Sequence, residues 1–303
     1  MAEDAAGNAL AVWTQGNGNL NHFDGWSAQY AVATDSWTSP ALLTDGANSA
    51  YGLRVASTSA GLGQVAWKQE RGDGSSNSTQ PVDIWARSVG TSGARGTAVR
   101  VNVNASGLTS AAYVIGPLAL GVNPQGSAAV LWSQRALPSL PLVVQAANYS
   151  AATGWQAAVA ISPSGTDDCY AAQVAFDAAG NAMAVWQQQS AFGAYGGSNR
   201  YTVSAGWGSA GIFVDSRAGD AFAPSLAMDA AGNATVVWYR WSSSNTIDVM
   251  LNRYLPASGW TGAQVFAPIG TSANVVNTQP HVAANASGQT VVVWGGNQSA
   301  PGI

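Results

Sequence analysis

A glycine followed six residues later by tryptophan occurs six times in this 303-residue chain, each time in the same short phrase. The phrases are DAAGNALAVW ending at Trp13, TSAGLGQVAW at Trp67, NPQGSAAVLW at Trp132, DAAGNAMAVW at Trp186, DAAGNATVVW at Trp238 and NASGQTVVVW at Trp294. Successive tryptophans lie 54, 65, 54, 52 and 56 residues apart. Self-similarity at such a period marks a repeat architecture, in which each unit hides its apolar faces against its neighbours. A single match could be chance, but six at one offset constrain the fold.

Each phrase predicts a β-hairpin. The incoming strand alternates weakly, as in Gln173-Val174-Ala175-Phe176 and Ser225-Leu226-Ala227-Met228. Asp or Asn precedes the glycine by three residues in five copies. Its side chain can accept a backbone N–H across the turn, while glycine takes positive φ without a Cβ clash. Asp4, Asp177 and Asp229 are therefore read as turn-formers. One carboxylate per turn falls short of the oxygen cage calcium needs, and no metal site is expected. The outgoing strand is almost wholly apolar, as in Val291-Val292-Val293-Trp294, which predicts cover on both faces.

A second hairpin follows in most units. Tyr30, Tyr149, Tyr201 and Tyr254 close one strand, and Trp37, Trp155, Trp207 and Trp260 follow within six or seven residues. The second unit carries Ser88 in place of the tyrosine and Arg95 near the tryptophan position. Four short antiparallel strands per unit predict an all-β chain, a β-propeller formed by residues 1–303 as one domain. The repeated tryptophans are then wedges between blades. Six units are expected with the last incomplete. Five blades with a surplus hairpin, or a segment of a longer chain, are left open.

The phrase PSLAMDAAGNATVVW over residues 224–238 resembles a blade of the bacterial propellers with NHL-type or TolB-type repeats, which share the Asp/Asn-x-x-Gly turn. It departs from NHL-type repeats at Trp-x-Gln, present in the first four copies as Gln15, Gln69, Gln134 and Gln188. The resemblance implies a fold shared by lectins, scaffolds and enzymes, and so does not select a function.

Composition narrows the classes. Charged residues make up 9% of the chain, against about 25% in ordinary soluble domains. Net charge is -4, and one Lys and ten Arg are scattered without a basic stripe. Nucleic acid and anionic membrane surfaces are not expected partners. No apolar run approaches the ~18 residues of a membrane-spanning helix. Cys169 is the only cysteine, which excludes an intrachain disulfide and predicts a buried small hydrophobe. Scarce Lys with abundant Asn, Gln, Ser and Thr suggests a secreted, cell-surface or periplasmic bacterial protein. Met1-Ala2-Glu3-Asp4 already lies inside a repeat, as in a mature or excised segment. Glycosylation sequons begin at Asn77, Asn104, Asn148, Asn285 and Asn297.

Ligand contacts are expected on the irregular connections, 16–25, 70–81, 135–141, 190–199 and 241–246, because variable loops on a rigid frame carry binding residues. Trp26, Trp85 and Trp241 offer apolar plates for a sugar ring. Asp24, Asp83 and Asp248 could accept hydrogen bonds from its hydroxyls, and Arg87 and Arg253 could donate them. His22, Phe23, Phe192, Tyr195 and Tyr239 lie in the same regions. Packing of the outer strands is the competing role for every one of these aromatics. Arg71-Gly72-Asp73 is a receptor-binding triplet when displayed, and otherwise a solvated turn.

Catalytic signals are thin. His22 and His281 belong to different units, and no metalloprotease, phosphate-loop, dinucleotide or serine-hydrolase motif is present. Glu3 and Glu70 are the only glutamates, although thirteen aspartates could supply a carboxyl pair. The arginines at 54, 87, 135, 200, 217, 240 and 253 could supply a sialidase-like cluster. The expectation is a non-catalytic module without a cofactor, binding a glycan or surface polymer. A protein-interaction scaffold in an adhesin or envelope protein, and a polysaccharide hydrolase or lyase, are the alternatives.

Overall fold

The computed structural model describes residues 1–16, 18, 22–70, 82–102, 113–136, 139–214, 220–241, 246–271 and 279–295. Among them the chain is all-β, with one 3-10 turn at Val32–Thr34. Two compact units divide it, 1–140 with 145–160, and 141–144 with 161–303.

The first unit holds two antiparallel sheets and most of a third. Sheet one contains Ala2–Glu3, Ala9–Gly16 and Phe23–Ala31, with Ser36–Trp37 and Ala41–Leu42 both paired to the third strand. Sheet two contains Ala50–Ser57, Gly63–Glu70, Val82–Val89 and Val99–Arg100. Sheet three contains Tyr113–Val122, Ala128–Arg135 and Val143–Ser150, with Gly154–Trp155 and Val159–Ala160 on its outer side. In the second unit, sheet four runs through Asp168–Phe176, Ala182–Ser190 and Gly193–Thr202 to Gly206–Trp207 and Gly211–Val214. Sheet five runs through Asp220–Met228, Ala234–Trp241 and Thr246–Leu255 to Gly259–Trp260 and Gln264–Thr271. Sheet six pairs His281–Ala284 with Thr290–Val293. In sheets one, three, four and five the outermost strand is thus broken into two pieces.

The repeated turn is more heavily bonded than its sequence suggests. Asp177 Oδ1 accepts the backbone N–H groups of Ala179 (3.0 Å) and Asn181 (2.8 Å), and Oδ2 accepts the Asn181 side-chain amide at 2.8 Å. Asp4 with Asn8 and Asp229 with Asn233 repeat all three bonds. Thr58 replaces the acid in the second copy, its Oγ1 accepting Leu62 N–H at 3.1 Å. All six turn glycines have φ between 83° (Gly61) and 91° (Gly126), where a Cβ is strained. Successive turns also bond to each other within a unit: Ala5 N donates to Ser59 O (3.2 Å), Ala178 N to Ala230 O (3.2 Å) and Ala230 N to Ala286 O (3.3 Å).

Trp67, Trp132, Trp186 and Trp238 are fully buried. Each packs against the sheet before it where the core is described. Trp67 joins Leu10 and Leu43, Trp132 joins Ile84 and Ala86, and Trp238 joins Met183, Val185 and Phe213. A side chain of this size contributes several kcal/mol when removed from water, about 3–5 by the cost of cutting it to alanine. Trp13 is half-buried and Trp294 is 43% exposed, its ring edge-on to Phe266. The outer tyrosines sit across from their tryptophans, ring centroids 5.4–5.5 Å apart in Tyr30–Trp37, Tyr149–Trp155, Tyr201–Trp207 and Tyr254–Trp260.

Two expectations change. By register the counterpart of those tyrosines in the second repeat is Val89, opposite Gly63, rather than Ser88; Arg95 does face it. Residues 190–199 are not an irregular loop: Ser190 pairs with Gly193 and the strand Gly193–Thr202 follows at once. The glycines that suggested a loop serve close packing. A Cβ on Gly196 would lie 2.2 Å from the Phe213 ring, and one on Gly197 would lie 2.2 Å from the Trp186 indole. The triplet at 71–73 and the sequons at Asn77, Asn104 and Asn297 fall outside the described residues.

Candidate functional site

The strand register explains why Asp24, Asp83 and Asp248 stood out together. All three occupy one repeat position on the third strand, opposite Gln15, Gln69 and Arg240, two residues past the core tryptophan. Each is buried and already partnered: Asp24 Oδ1 meets His22 Nε2 at 3.1 Å, Asp83 meets Arg100 at 3.5 Å and Asp248 meets Arg240 at 2.5 Å. Arg87 donates to Gly96 O from Nε (2.9 Å) and Nη2 (2.6 Å), and to Leu43 O from Nη1 at 2.5 Å. Burial, then the neighbouring Arg95 charge, pull its pKa down. These groups spend their hydrogen bonds within the fold.

The aromatic residues divide differently. Trp85 is half-buried and stacked on Trp67 at 6.5 Å, and Trp26 lies opposite Trp13 as its cross-strand neighbour. Tyr239 is buried with its hydroxyl donating to Gly295 O at 3.2 Å, and Tyr195 donates to Asp167 Oδ2 at 2.7 Å. Trp241 is 47% exposed, held edge-on by Phe222 with centroids 6.0 Å apart. Phe192, in the tight turn of sheet four, is 94% exposed. Arg253 is exposed on the third strand of sheet five. Cys169 is fully buried, which pushes its thiol up to about 11 and away from nucleophilic use.

The first unit holds a cluster that sequence reasoning passed over. Lys68, the chain's one lysine, is only 7% exposed and lies opposite Tyr51 on the first strand of sheet two. Its ammonium sits 5.9 Å from the Tyr51 ring centroid and donates to Gly116 O. Arg54, three residues past Tyr51, donates from Nε to Leu118 O at 3.0 Å. Neither cation has a carboxylate partner among the described residues. Glu70 ends the same strand as Lys68; its Oε2 is buried without a hydrogen-bond partner. Burial raises the Glu70 carboxyl, opposed by His22, while burial and then Arg54 lower the Lys68 ammonium. Burial and then Glu70 raise the Tyr51 phenol. Ser49 ties the cluster together, its Oγ accepting Phe23 N–H at 3.0 Å and its carbonyl accepting Glu70 N–H at 2.9 Å.

Such a group can place a cation, a proton acceptor and a phenol beside one substrate. Its signal in the sequence was rarity: the lone lysine and one of two glutamates stand two residues apart. Tyr51 also flanks a bulge, where the register slips between Tyr51 and Arg54 and Gly52 takes φ 64°. The same slip recurs on the first strand of sheets three, four and five, so it belongs to the repeat. Among the described residues no helix is long and apolar enough to cross a membrane.

No family model matches the chain, and no curated protein sequence matches it. Solved structures do. A Dyadobacter fermentans protein of unknown function is similar at 11% identity and TM-score 0.56, over 93% of this chain and 85% of its own. An ulvan lyase, bound to a repeat of glucuronic acid and 3-sulfated rhamnose, is similar at 9% identity and TM-score 0.56, over 93% and 71%. The Streptococcus pneumoniae NanB sialidase, as a K499G mutant, is similar at 6% identity and TM-score 0.53, over 96% of this chain but 63% of its own. At these identities the likeness is one of fold, an all-β arrangement of the propeller type.

Proposed function

We propose that the chain is a secreted or cell-surface protein that binds a glycan or surface polymer through the strand ends of its sheets. Trp241 carries this reading. It is a large exposed indole, braced by Phe222 and directly across the sheet from Asp220, so an apolar plate stands beside a fixed acceptor. That combination suits the apolar face and hydroxyl rim of a sugar. The fold shared with a lyase and a sialidase supports a carbohydrate ligand. Glycan-array screening of the wild type and Trp241→Ala tests it: binding to a defined set of glycans should be lost in the variant. An array without signal, or signal unchanged by the substitution, overturns the reading.

The Tyr51, Lys68 and Glu70 cluster favours a second reading, a hydrolase or lyase acting on polysaccharide. Partly desolvated Lys68 and Arg54 would hold an anionic substituent, and Glu70 or Tyr51 would move a proton. Incubation with uronate-containing polysaccharides distinguishes the two reactions, since elimination yields an ultraviolet-absorbing unsaturated uronate and hydrolysis yields new reducing ends alone. Absence of both products with every polymer that binds rejects it.

A further inference from the structure

The repeats contain their own control for a cleft between sheets one and two. At the equivalent place between sheets four and five, three side chains fill the space. Arg200, opposite Met183, reaches Asp177 Oδ2 from Nη2 at 3.4 Å and lies 5.3 Å from the Tyr254 ring centroid. Met228, opposite Ala234, packs against the neighbouring core. The guanidinium is thus clamped between the turn carboxylate of one sheet and an aromatic ring of the next.

Strand register identifies the counterparts. Gln29, opposite Leu10, stands for Arg200; Val89, opposite Gly63, for Tyr254; and Ser57, also opposite Gly63, for Met228. All three are shorter. Gln29 is also turned aside, its amide donating to Gly90 O at 2.7 Å. The result is a cleft of 270 Å³ lined by Asp4, Gln29, Tyr30, Ser57, Thr91 and Ser92 among others. Asp4 Oδ2 receives one bond, from the Asn8 amide at 2.9 Å, whereas Asp177 Oδ2 receives both Asn181 and Arg200. The Asn8 bond, outweighing burial, holds the Asp4 carboxyl below its usual range and keeps it anionic at neutral pH.

We infer that this cleft binds a guanidinium group, as carried by an arginine side chain of a protein partner, with Asp4 as counter-ion. The ligand would occupy the place that Arg200 fills in cis between sheets four and five. The inference is independent of the carbohydrate reading.

Titration of Nα-acetyl-arginine amide, followed by protein NMR, tests it. Saturable binding is expected with a dissociation constant on the order of 1 mM. Gln29→Arg should fill the cleft internally, weakening binding by about tenfold or more while leaving the melting temperature equal or higher. Asp4→Asn preserves the turn, as Asn123 and Asn285 do in their copies, and should weaken binding to a similar extent. Free arginine as a separate arm distinguishes a metabolite from a protein side chain: preference for the free amino acid overturns the partner assignment. Equal binding of Nα-acetyl-lysine amide or glucosamine overturns the guanidinium assignment. Absence of saturable binding, or binding unchanged by Gln29→Arg, overturns the site.

Discussion

The indole N–H of Trp67 donates to Gln69 Oε1 at 2.9 Å, and the Gln69 amide passes on to Asp45 Oδ1 at 2.7 Å. The same bond occurs in Trp13–Gln15, Trp132–Gln134 and Trp186–Gln188, at 3.3, 2.7 and 3.4 Å. A buried tryptophan brings one polar hydrogen into the core, and the glutamine two residues on satisfies it. The fifth copy has Arg240 there, turned to Asp248, and the Trp238 indole N–H is buried without a partner. Gln69→Leu should therefore cost about 1–3 kcal/mol, since it strands a buried donor. Denaturant unfolding would show a lower midpoint at constant slope. A cost near zero would mean that the bond adds nothing net.

Gln64 presents the reverse case. It is fully buried with neither amide atom hydrogen-bonded, at a position where sheet one has Leu10 and sheet four has Met183. Burying an unpaired amide costs roughly 1–3 kcal/mol on mutational scales. Gln64→Met, close in shape, should raise stability by about 1–2 kcal/mol, visible as a higher denaturant midpoint. A fall in the midpoint would show that the amide is satisfied in solution.

The turn carboxylates give the stability a pH dependence of defined sign. At Asp229 burial raises the pKa, but bonds from Asn233, Ala231 and Gly232 outweigh it and leave the folded-state value below the usual one. Asp4 is lowered likewise. A carboxyl depressed by folding stabilises the native state above its unfolded pKa, about 3.9, and that contribution is lost as pH falls through the folded value. Thermal unfolding should therefore show a plateau above about pH 5 and a decline below about pH 4. In the double variant Asp4→Asn, Asp229→Asn the decline should be shallower. An equally steep decline would assign acid sensitivity to other groups.

What the sequence revealed follows from which interactions leave a periodic mark. A positive-φ glycine and a wedge tryptophan admit few substitutes, so Gly180 and Trp186 could be read with their role. Gln188 was visible as a pattern, but the donor it accepts from is the indole of its own strand's tryptophan, and only coordinates show the bond. Asp24, Asp83 and Asp248 have the chemistry of sugar contacts, and a sequence cannot show that His22, Arg100 and Arg240 already occupy them. Gly196 and Gly197 signal a loop because glycine usually does, whereas here a ring presses on each backbone. Lys68 has no counterpart in the other copies and so leaves no periodic signal.

That singularity makes Lys68 the most informative substitution. Its ammonium is largely desolvated, and its partners are the Gly116 carbonyl and the face of Tyr51, without a carboxylate. A buried cation held this way strains the folded state, because the Coulombic return that offsets desolvation is missing. Groups that lower stability where an apolar residue would fit are characteristic of sites kept for binding or chemistry. Lys68→Met keeps most of the apolar stem and removes the charge. It should leave the melting temperature unchanged or raise it by a few degrees, about the effect of 1 kcal/mol in a chain of this size. The same variant should lose affinity for anionic polysaccharides while retaining that for neutral ones. A drop in stability of more than about 2 kcal/mol would instead make Lys68 a strut between sheets two and three, with its hydrogen bond to Gly116 as its whole purpose.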